Sequence, residues 1–421
     1  MTAEVVIMNK LGMALAADSA ITSGRDGVQK IYNSANKLFP LSKDHPIGIM
    51  VYGAASFMEV PWDIIIKSYR NYLGDKKYEK VSYYMENLLD FLRHDERFSR
   101  ENLEHIIIYR TFSDLLKEIV QEVEEDIYNQ NAPTDEEVQD EKVTLLLTDC
   151  IERYTKDFKN MEEEFLDIDY SSFKTKFNDV IQEIKEEVIV YEIPQDLDET
   201  LCKLAFEAIK KDYFSIGSTG IVIAGYGESN IFPHLLTYRL EGVVFGQLKY
   251  KKITEKRISY TTDDDGSTAA IMPFAQREMV DSFMGGIEPN MEDTIFEIVD
   301  QVLKRYYEQV EKNLGIEFTK NQVSDLKEMG KDVYSSMKDS LYDYQQKNYI
   351  APLLGVVRSL PKEELAEMAE ALVNLTSFKR RVTRATESVG PPIDVAVITK
   401  GDGFIWIKRK NYIDPTINER F

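Results

Sequence analysis

The chain has 421 residues, 43% of them hydrophobic, and a formal net charge of −22. That length can bury a substantial core in one elaborated domain or two, and the acidic surplus leaves no basic surface to displace counterions from nucleic acid. No apolar run approaches the roughly 18 residues of a spanning helix, no basic-then-apolar leader opens the sequence, and Cys150 and Cys202 are too few for a disulfide framework or a metal set. These features predict a soluble, cytoplasmic protein with neither nucleic acid nor membrane as partner.

Taken in chain order, Ala3–Met8 and Met13–Ala17 are short apolar runs joined through Asn9-Lys10-Leu11-Gly12. They predict a hairpin that returns Asp18 close to Thr2. A polar connection over Ser19–Gly27 and the stretch Val28–Phe39 lead to Pro46–Tyr52, which is suited to a strand buried on both faces. Gly53-Ala54-Ala55 ends that strand. A helix is expected from near Ser56, with Ile65, Tyr69 and Tyr72 on one stripe and Gly74 as its stop. A second helix is expected over 79–94.

Beyond residue 95 the chain turns acidic, and apolar residues recur at helical spacing, as in Leu116, Ile119, Val120, Val123 and Ile127. Asn129–Asp140 interrupts this pattern, and Thr134-Asp135-Glu136-Glu137 fits a capping box that restarts a helix. The charge runs here read as solvated helix faces. Strands are expected at 220–227, 235–240, 242–245 and 257–261. The turn Asp263–Gly266 is expected to lead from Ser267 into a helix through Phe283. Residues 288–350 read as helical, and Pro361–Arg381 as an amphipathic helix with Leu365, Met368, Leu372 and Leu375 inward. Ile393–Ile398 and Phe404–Ile407 flank Thr399-Lys400-Gly401-Asp402-Gly403, a strong hairpin pattern. Strand blocks separated by helix blocks predict two stacked sheets with helices outside them, rather than a parallel βαβ sheet.

The chemistry starts at Thr2. Removal of Met1 would leave an N-terminal threonine whose hydroxyl is a nucleophile. Its own α-amine, titrating near ~7.7–8, is a general base. In that order along the chain, Thr2, Ala16-Ala17-Asp18-Ser19, Asn36-Lys37-Leu38-Phe39 and Met50-Val51-Tyr52-Gly53-Ala54-Ala55 resemble the catalytic strands of proteasome β-type subunits. Those proteins and their simpler bacterial relatives are N-terminal nucleophile hydrolases.

The resemblance implies an α+β fold, a four-layer αββα sandwich. Its core would comprise 1–95, 216–285 and 360–421, with an acidic helical insertion over 96–215 and a second over 286–359. It implies that Thr2 attacks a peptide amide and forms an acyl-enzyme. Lys37 would place positive charge beside Thr2, Asp18 would hold that lysine, and Gly53 would offer its N–H to the oxyanion. Ser267 would support the amine, and Ser388 stands near the serine that the family carries before a glycine pair. Thr22, Val51 and Ala55 match positions that line the substrate.

Each residue also has an ordinary reading. Lys30 rivals Lys37, Asp18 suits a turn, and Gly53 fits a strand-to-helix turn. Ser267 suits a helix N-cap, and Thr22 and Val51 are common strand and core residues. The sequence departs from the family where Lys37 arrives a few residues late and where Ser388 precedes Gly390 by one residue too many.

No metal or organic cofactor is expected. His45, His94, His105 and His234 show no ligand spacing, and Gly225-Tyr226-Gly227 lacks the third glycine of a dinucleotide loop. The resemblance further implies a peptide or protein substrate, homo-oligomeric assembly and room for an unfoldase or regulatory partner. Two alternatives stand beside it: a non-catalytic proteasome-like scaffold or gating subunit, and an amidase acting on a small molecule.

Overall fold

In the computed structural model, the N-terminal apolar runs pair as β1 (Ala3–Asn9) and β2 (Met13–Ala17), antiparallel, with Glu4 opposite Ala17 and Met8 opposite Met13. Asn9 shapes the turn, its side-chain oxygen accepting from the Leu11 N–H at 2.8 Å. Gly12 is required by close approach, since a Cβ there would lie 3.0 Å from the Ile398 carbonyl oxygen. The structure describes residues 2–23, 30–42, 44–98, 100–129, 136–191, 193–194, 197–261, 267–383 and 389–410.

Downstream come β3 (Ile21–Ser23), β4 (Lys30–Tyr32), β5 (Leu38–Pro40), β6 (Ile47–Gly53), β7 (Ser56–Phe57) and β8 (Val60–Pro61). The helices α1 (Trp62–Leu73), α2 (Val81–His94), α3 (Glu101–Asn129), α4 (Glu136–Asn160), α5 (Tyr170–Val188) and α6 (Leu197–Lys210) follow. The second half holds β9 (Thr219–Gly225), β10 (His234–Val244), β11 (Gln247–Arg257) and β12 (Ala269–Ala275). Then come α7 (Glu278–Gly285), α8 (Pro289–Leu314), α9 (Lys320–Gln345), a π-turn over Gln346–Ile350, α10 (Ala351–Val357) and α11 (Lys362–Val382). The hairpin of β13 (Asp394–Thr399) and β14 (Gly403–Lys408) is the last described pair.

This mixed α/β chain forms two compact units built on antiparallel pairings. One comprises Met1–Leu38, Ile231–Pro233 and Arg257–Phe421, the other Phe39–Asn230 and His234–Lys256. The first unit carries a five-stranded sheet in the order β12-β1-β2-β13-β14. Strand alternation turns Val5, Ile7, Ala14, Ala16, Val395 and Val397 toward α11, where Leu365, Ala366, Ala369, Leu372 and Val373 complete the core. Burial of each such leucine or valine contributes roughly 1.5–3 kcal/mol, and alanines on both surfaces let helix and sheet approach closely.

The second unit has the sheet order β11-β10-β9-β6-β5. Ile47, Ile49, Ile221, Ile223, Leu236 and Leu240 pack with Ile65, Tyr69, Leu88 and Leu89 of α1 and α2. The same core runs on through Leu115 and Ile119 of α3, Phe173, Phe177, Ile181 and Ile184 of α5, and Leu201 and Leu204 of α6. The acidic helices of 96–215 therefore share one core with this sheet, their apolar stripes inward.

Several local expectations give way to identifiable physics. The first helix starts at Trp62, because Met58 (φ 49°) and Glu59 (φ 61°) turn the chain into the small β7–β8 pair. Tyr72 lies off its buried stripe at 50% exposure. The two strands expected at 235–245 are one, β10, since its buried Glu241 accepts from Thr111 Oγ1 (3.0 Å) and the Ser215 N–H (2.9 Å). β11 lies earlier than the expected 257–261, and its polar sequence is that of an edge strand. Ala269–Ala275 is a strand rather than the start of a helix. Its Pro273 is tolerated because β12 is also an edge. Leu375 faces out at 37% exposure. Thr134, Asp135 and the turn Asp263–Gly266 lie outside the described residues.

Lys249 is fully buried in the second unit, where Nζ donates to the carbonyls of Ala208 (3.0 Å) and Tyr213 (2.6 Å) over the Phe214 ring. Burial pushes its ammonium down to about 7, against the opposing pull of Glu241 and Asp212. An unfolded lysine titrates near ~10.4, so between about pH 7 and 10 the unfolded chain holds the extra proton and stability rises with pH. Urea unfolding across that window should show the wild type gaining stability relative to Lys249→Met. Parallel pH profiles for the two proteins would contradict the assignment.

Candidate active site around Asp18

Asp18 follows β2, where the hairpin register sets it across from Ala3, and its own N–H donates to the Ala3 carbonyl at 3.1 Å. Its buried carboxylate accepts four hydrogen bonds. Oδ1 receives the Ala3 N–H (3.0 Å) and Lys37 Nζ (2.6 Å), and Oδ2 receives the N–H groups of Ala20 (3.0 Å) and Gly390 (3.2 Å). A buried ion pair is favourable only when the remaining polar valences are met in good geometry, and here they are. Lys30, the rival cation, is exposed on β4. Lys37 alone of the two reaches Asp18.

Thr2 is buried and held from both sides. Its carbonyl accepts the Gln276 N–H at 3.0 Å just past β12, and the residue after it is bonded to Asp18. The next layer of the network involves Ser19. Its Oγ donates to the Pro392 carbonyl at 2.6 Å, and its N–H donates to the Gly390 carbonyl at 3.2 Å. Lys410 Nζ donates to Ser19 Oγ at 3.0 Å and pairs with Asp394. The segment leading into β13 is thereby tied to the end of β2.

Glu4 has no counterpart in the sequence reading. It lies two residues beyond Thr2, on the same face of β1 by strand alternation. It is 1% exposed, and neither side-chain oxygen has a hydrogen-bond partner. Burial pushes its carboxyl well above the usual carboxylate range, with Lys37 drawing it down and Asp18 pushing it up. Its one signal in the sequence is a charged residue within an otherwise apolar strand.

Of the other expected site residues, Ser267 lies in the first unit away from this cluster, and Gly53, Val51 and Ala55 belong to the second unit. Ser267 forms an isolated bridge with Ile258 past the far end of β12, whose register runs from Asn9 opposite Ala269 to Ala3 opposite Ala275. Roughly 20 Å of strand, at about 3.3 Å per residue, separates Ser267 from Thr2, and Gln276 occupies the place beside the threonine. Gly53 ends β6 in the second unit with φ 83°, where a Cβ would meet the Ser218 carbonyl oxygen at 2.6 Å, so the backbone itself demands glycine. Val51 is packed into that unit's core with Ile47 and Ile49, its side chain committed to packing. Ala55 is exposed, its carbonyl accepting the Trp62 N–H at 3.1 Å. Thr22 pairs with Ile31 between β3 and β4. Ser388 lies outside the described residues. Among the described residues no three His, Cys, Asp or Glu side chains are grouped to hold a metal ion, and no helix is long and apolar enough to cross a membrane.

No protein-family model matches the chain, and no curated protein matches it. Among solved structures it is similar to a Gly-1 mutant of Anbu from Hyphomicrobium sp. strain MC1. The identity is 9%, over 98% of this chain and 86% of that one, with a TM-score of 0.29.

Two measurements test the cluster. Asp18→Ala leaves three N–H groups and an ammonium without their acceptor, and urea unfolding should show a loss of about 3–5 kcal/mol. Lys30→Met should stay within about 0.5 kcal/mol of wild type. For Glu4 the folded carboxyl holds its proton above the pH at which the unfolded one releases it, near ~4.3. Its contribution to stability is therefore present at low pH and declines as pH rises above that point. Glu4→Gln should remove this decline, so its stability relative to wild type should improve between pH 4 and pH 8.

Proposed function

We propose that the chain is a threonine-type N-terminal nucleophile hydrolase that cleaves amide bonds in peptides or proteins through an acyl-enzyme on Thr2. The observation that carries this reading is the buried Lys37–Asp18 pair, with Asp18 bonded to the backbone N–H of the residue after Thr2. Once Met1 is removed, the Thr2 hydroxyl proton passes to the α-amine as Oγ1 attacks the scissile carbonyl carbon. The tetrahedral intermediate collapses, the C–N bond breaks, and the leaving amine takes that proton. Water then adds to the ester, and its cleavage restores the threonine.

Lys37 supports this chemistry in two ways. Its positive charge disfavours protonation of a neighbouring amine, keeping the base neutral, and it stabilises negative charge that develops on the substrate. Asp18 fixes the ammonium and, through the Ala3 N–H, the backbone beside the nucleophile. Burial of Glu4 favours its neutral form, so it adds little negative charge to the one Asp18 already sets against Lys37. The four-layer αββα sandwich, Gly53 as oxyanion donor, a cytoplasmic location, homo-oligomeric assembly and delivery by an unfoldase belong to the same reading by resemblance.

Intact-mass analysis of the purified protein should find Met1 absent, and its retention on most molecules would end the proposal. Thr2→Ala should lower turnover of fluorogenic peptides by roughly 10³-fold or more. A threonine-directed electrophile should add its mass to the N-terminal peptide of the wild type and not of the variant.

A further inference from the structure

α8 and α9 run antiparallel as a hairpin that turns through Gly315, a left-handed C-cap, and restarts at the Thr319–Gln322 capping box. Their seam is well marked. Phe296 packs edge-on against Tyr334 with centroids 5.7 Å apart, Lys338 lies over both rings, Gly330 sits against Leu303, and Gln345 donates to Glu292 at 3.1 Å. Immediately before these seam residues stand Met291, Ile295 and Val302 on α8 and Met329, Val333 and Met337 on α9, each 40–59% exposed.

One step back along a helix is a rotation of about 100°. Because the two helices run in opposite directions, the two backward rotations bring both apolar stripes to the same side of the hairpin. The result is one continuous apolar face, larger than the scattered hydrophobics normal on a surface. From Met291 to Val302 it spans about 17 Å at 1.5 Å per residue, matching a helix of roughly three turns.

The charges beside this face decide what fits it. One further step back on α9 lies a row of exposed carboxylates: Asp325, Glu328, Asp332, Asp339 and Asp343. Two lysines of the same helix, Lys327 and Lys338, are drawn over the seam rings of Tyr307 and Phe296. The α9 edge of the face thus carries a row of one sign. A second copy docking with α9 against α9 would bring that row against its own duplicate. The geometry points to a protein partner that presents an amphipathic helix with an apolar stripe and a basic edge, laid along the α8–α9 groove as the third helix of a bundle. This surface stands apart from the chemistry assigned to Thr2.

The test uses the full chain and two fluorescein-labelled amphipathic 18-residue peptides, both with a leucine stripe, one edged with lysine and the other with glutamate. Fluorescence anisotropy should show binding of the lysine peptide and none of the glutamate peptide. Val333→Ser with Met337→Ser, and separately Glu328→Gln with Asp332→Gln, should each weaken binding at least tenfold. Glu152→Gln with Asp157→Asn, exposed carboxylates on α4, should leave it unchanged. The inference is overturned if the two peptides bind alike, or if the groove variants bind as well as wild type. It is equally overturned if sedimentation shows a dimer of the full chain that the Val333/Met337 variant dissolves.

Discussion

The first unit hinges on one carboxylate. Asp18 receives donors from the start of β1, from the residue that leads away from β2, from the chain ahead of β13 and from the side chain of Lys37. Three of these are backbone N–H groups, and burial raises the penalty of leaving any of them unmet. The position of the chain's first residues is therefore a property of the whole sheet. Ala3 lies where it does because β2, β12 and the 389–392 segment all meet there, and Thr2 inherits that position.

The interior treats its ions consistently. Glu241 is met by Thr111 and Ser215, Lys249 by two carbonyls, and Asp394 by Lys410. The first two join segments 26 to 130 residues apart and the third closes the β13–β14 hairpin, so these polar contacts specify which elements meet while the apolar surface supplies the driving force. Glu4 breaks the pattern. A buried group with both oxygens unmet costs free energy, and its place beside Lys37 and Asp18 is where a folded chain would tolerate that cost for function. Most other described carboxylates are outside, many on helix faces whose apolar stripes turn inward.

How much of this was legible depended on how local the cause was. The β1–β2 hairpin, β6, the stop at Gly74 and the β13–β14 hairpin follow from short-range patterning and turn chemistry, and the sequence shows them. Ala269–Ala275 was not legible, because a short continuous apolar run fits helix and strand equally and only its place beside β1 selects the strand. β11 was hidden by its polar edge. The choice of Lys37 over Lys30 rests on which side chain reaches a carboxylate folded back from β2, which spacing cannot reveal. Asp18 could be placed near Thr2 from the length of the hairpin. The contribution of Gly390 could not, since nothing local connects it to residue 18.

The bond between Asp18 and the Gly390 N–H spans 372 positions, and the neighbour of β2 on that side of the sheet is β13. On a ribosome adding about 5–20 residues per second, roughly 20–75 s pass between the emergence of the two partners. Throughout that interval β1 and β2 exist without their closing strand, with an open hydrogen-bonding edge and a carboxylate short of a donor. Asp18 is thus made long before Gly390 and gains its last backbone donor only when that segment arrives.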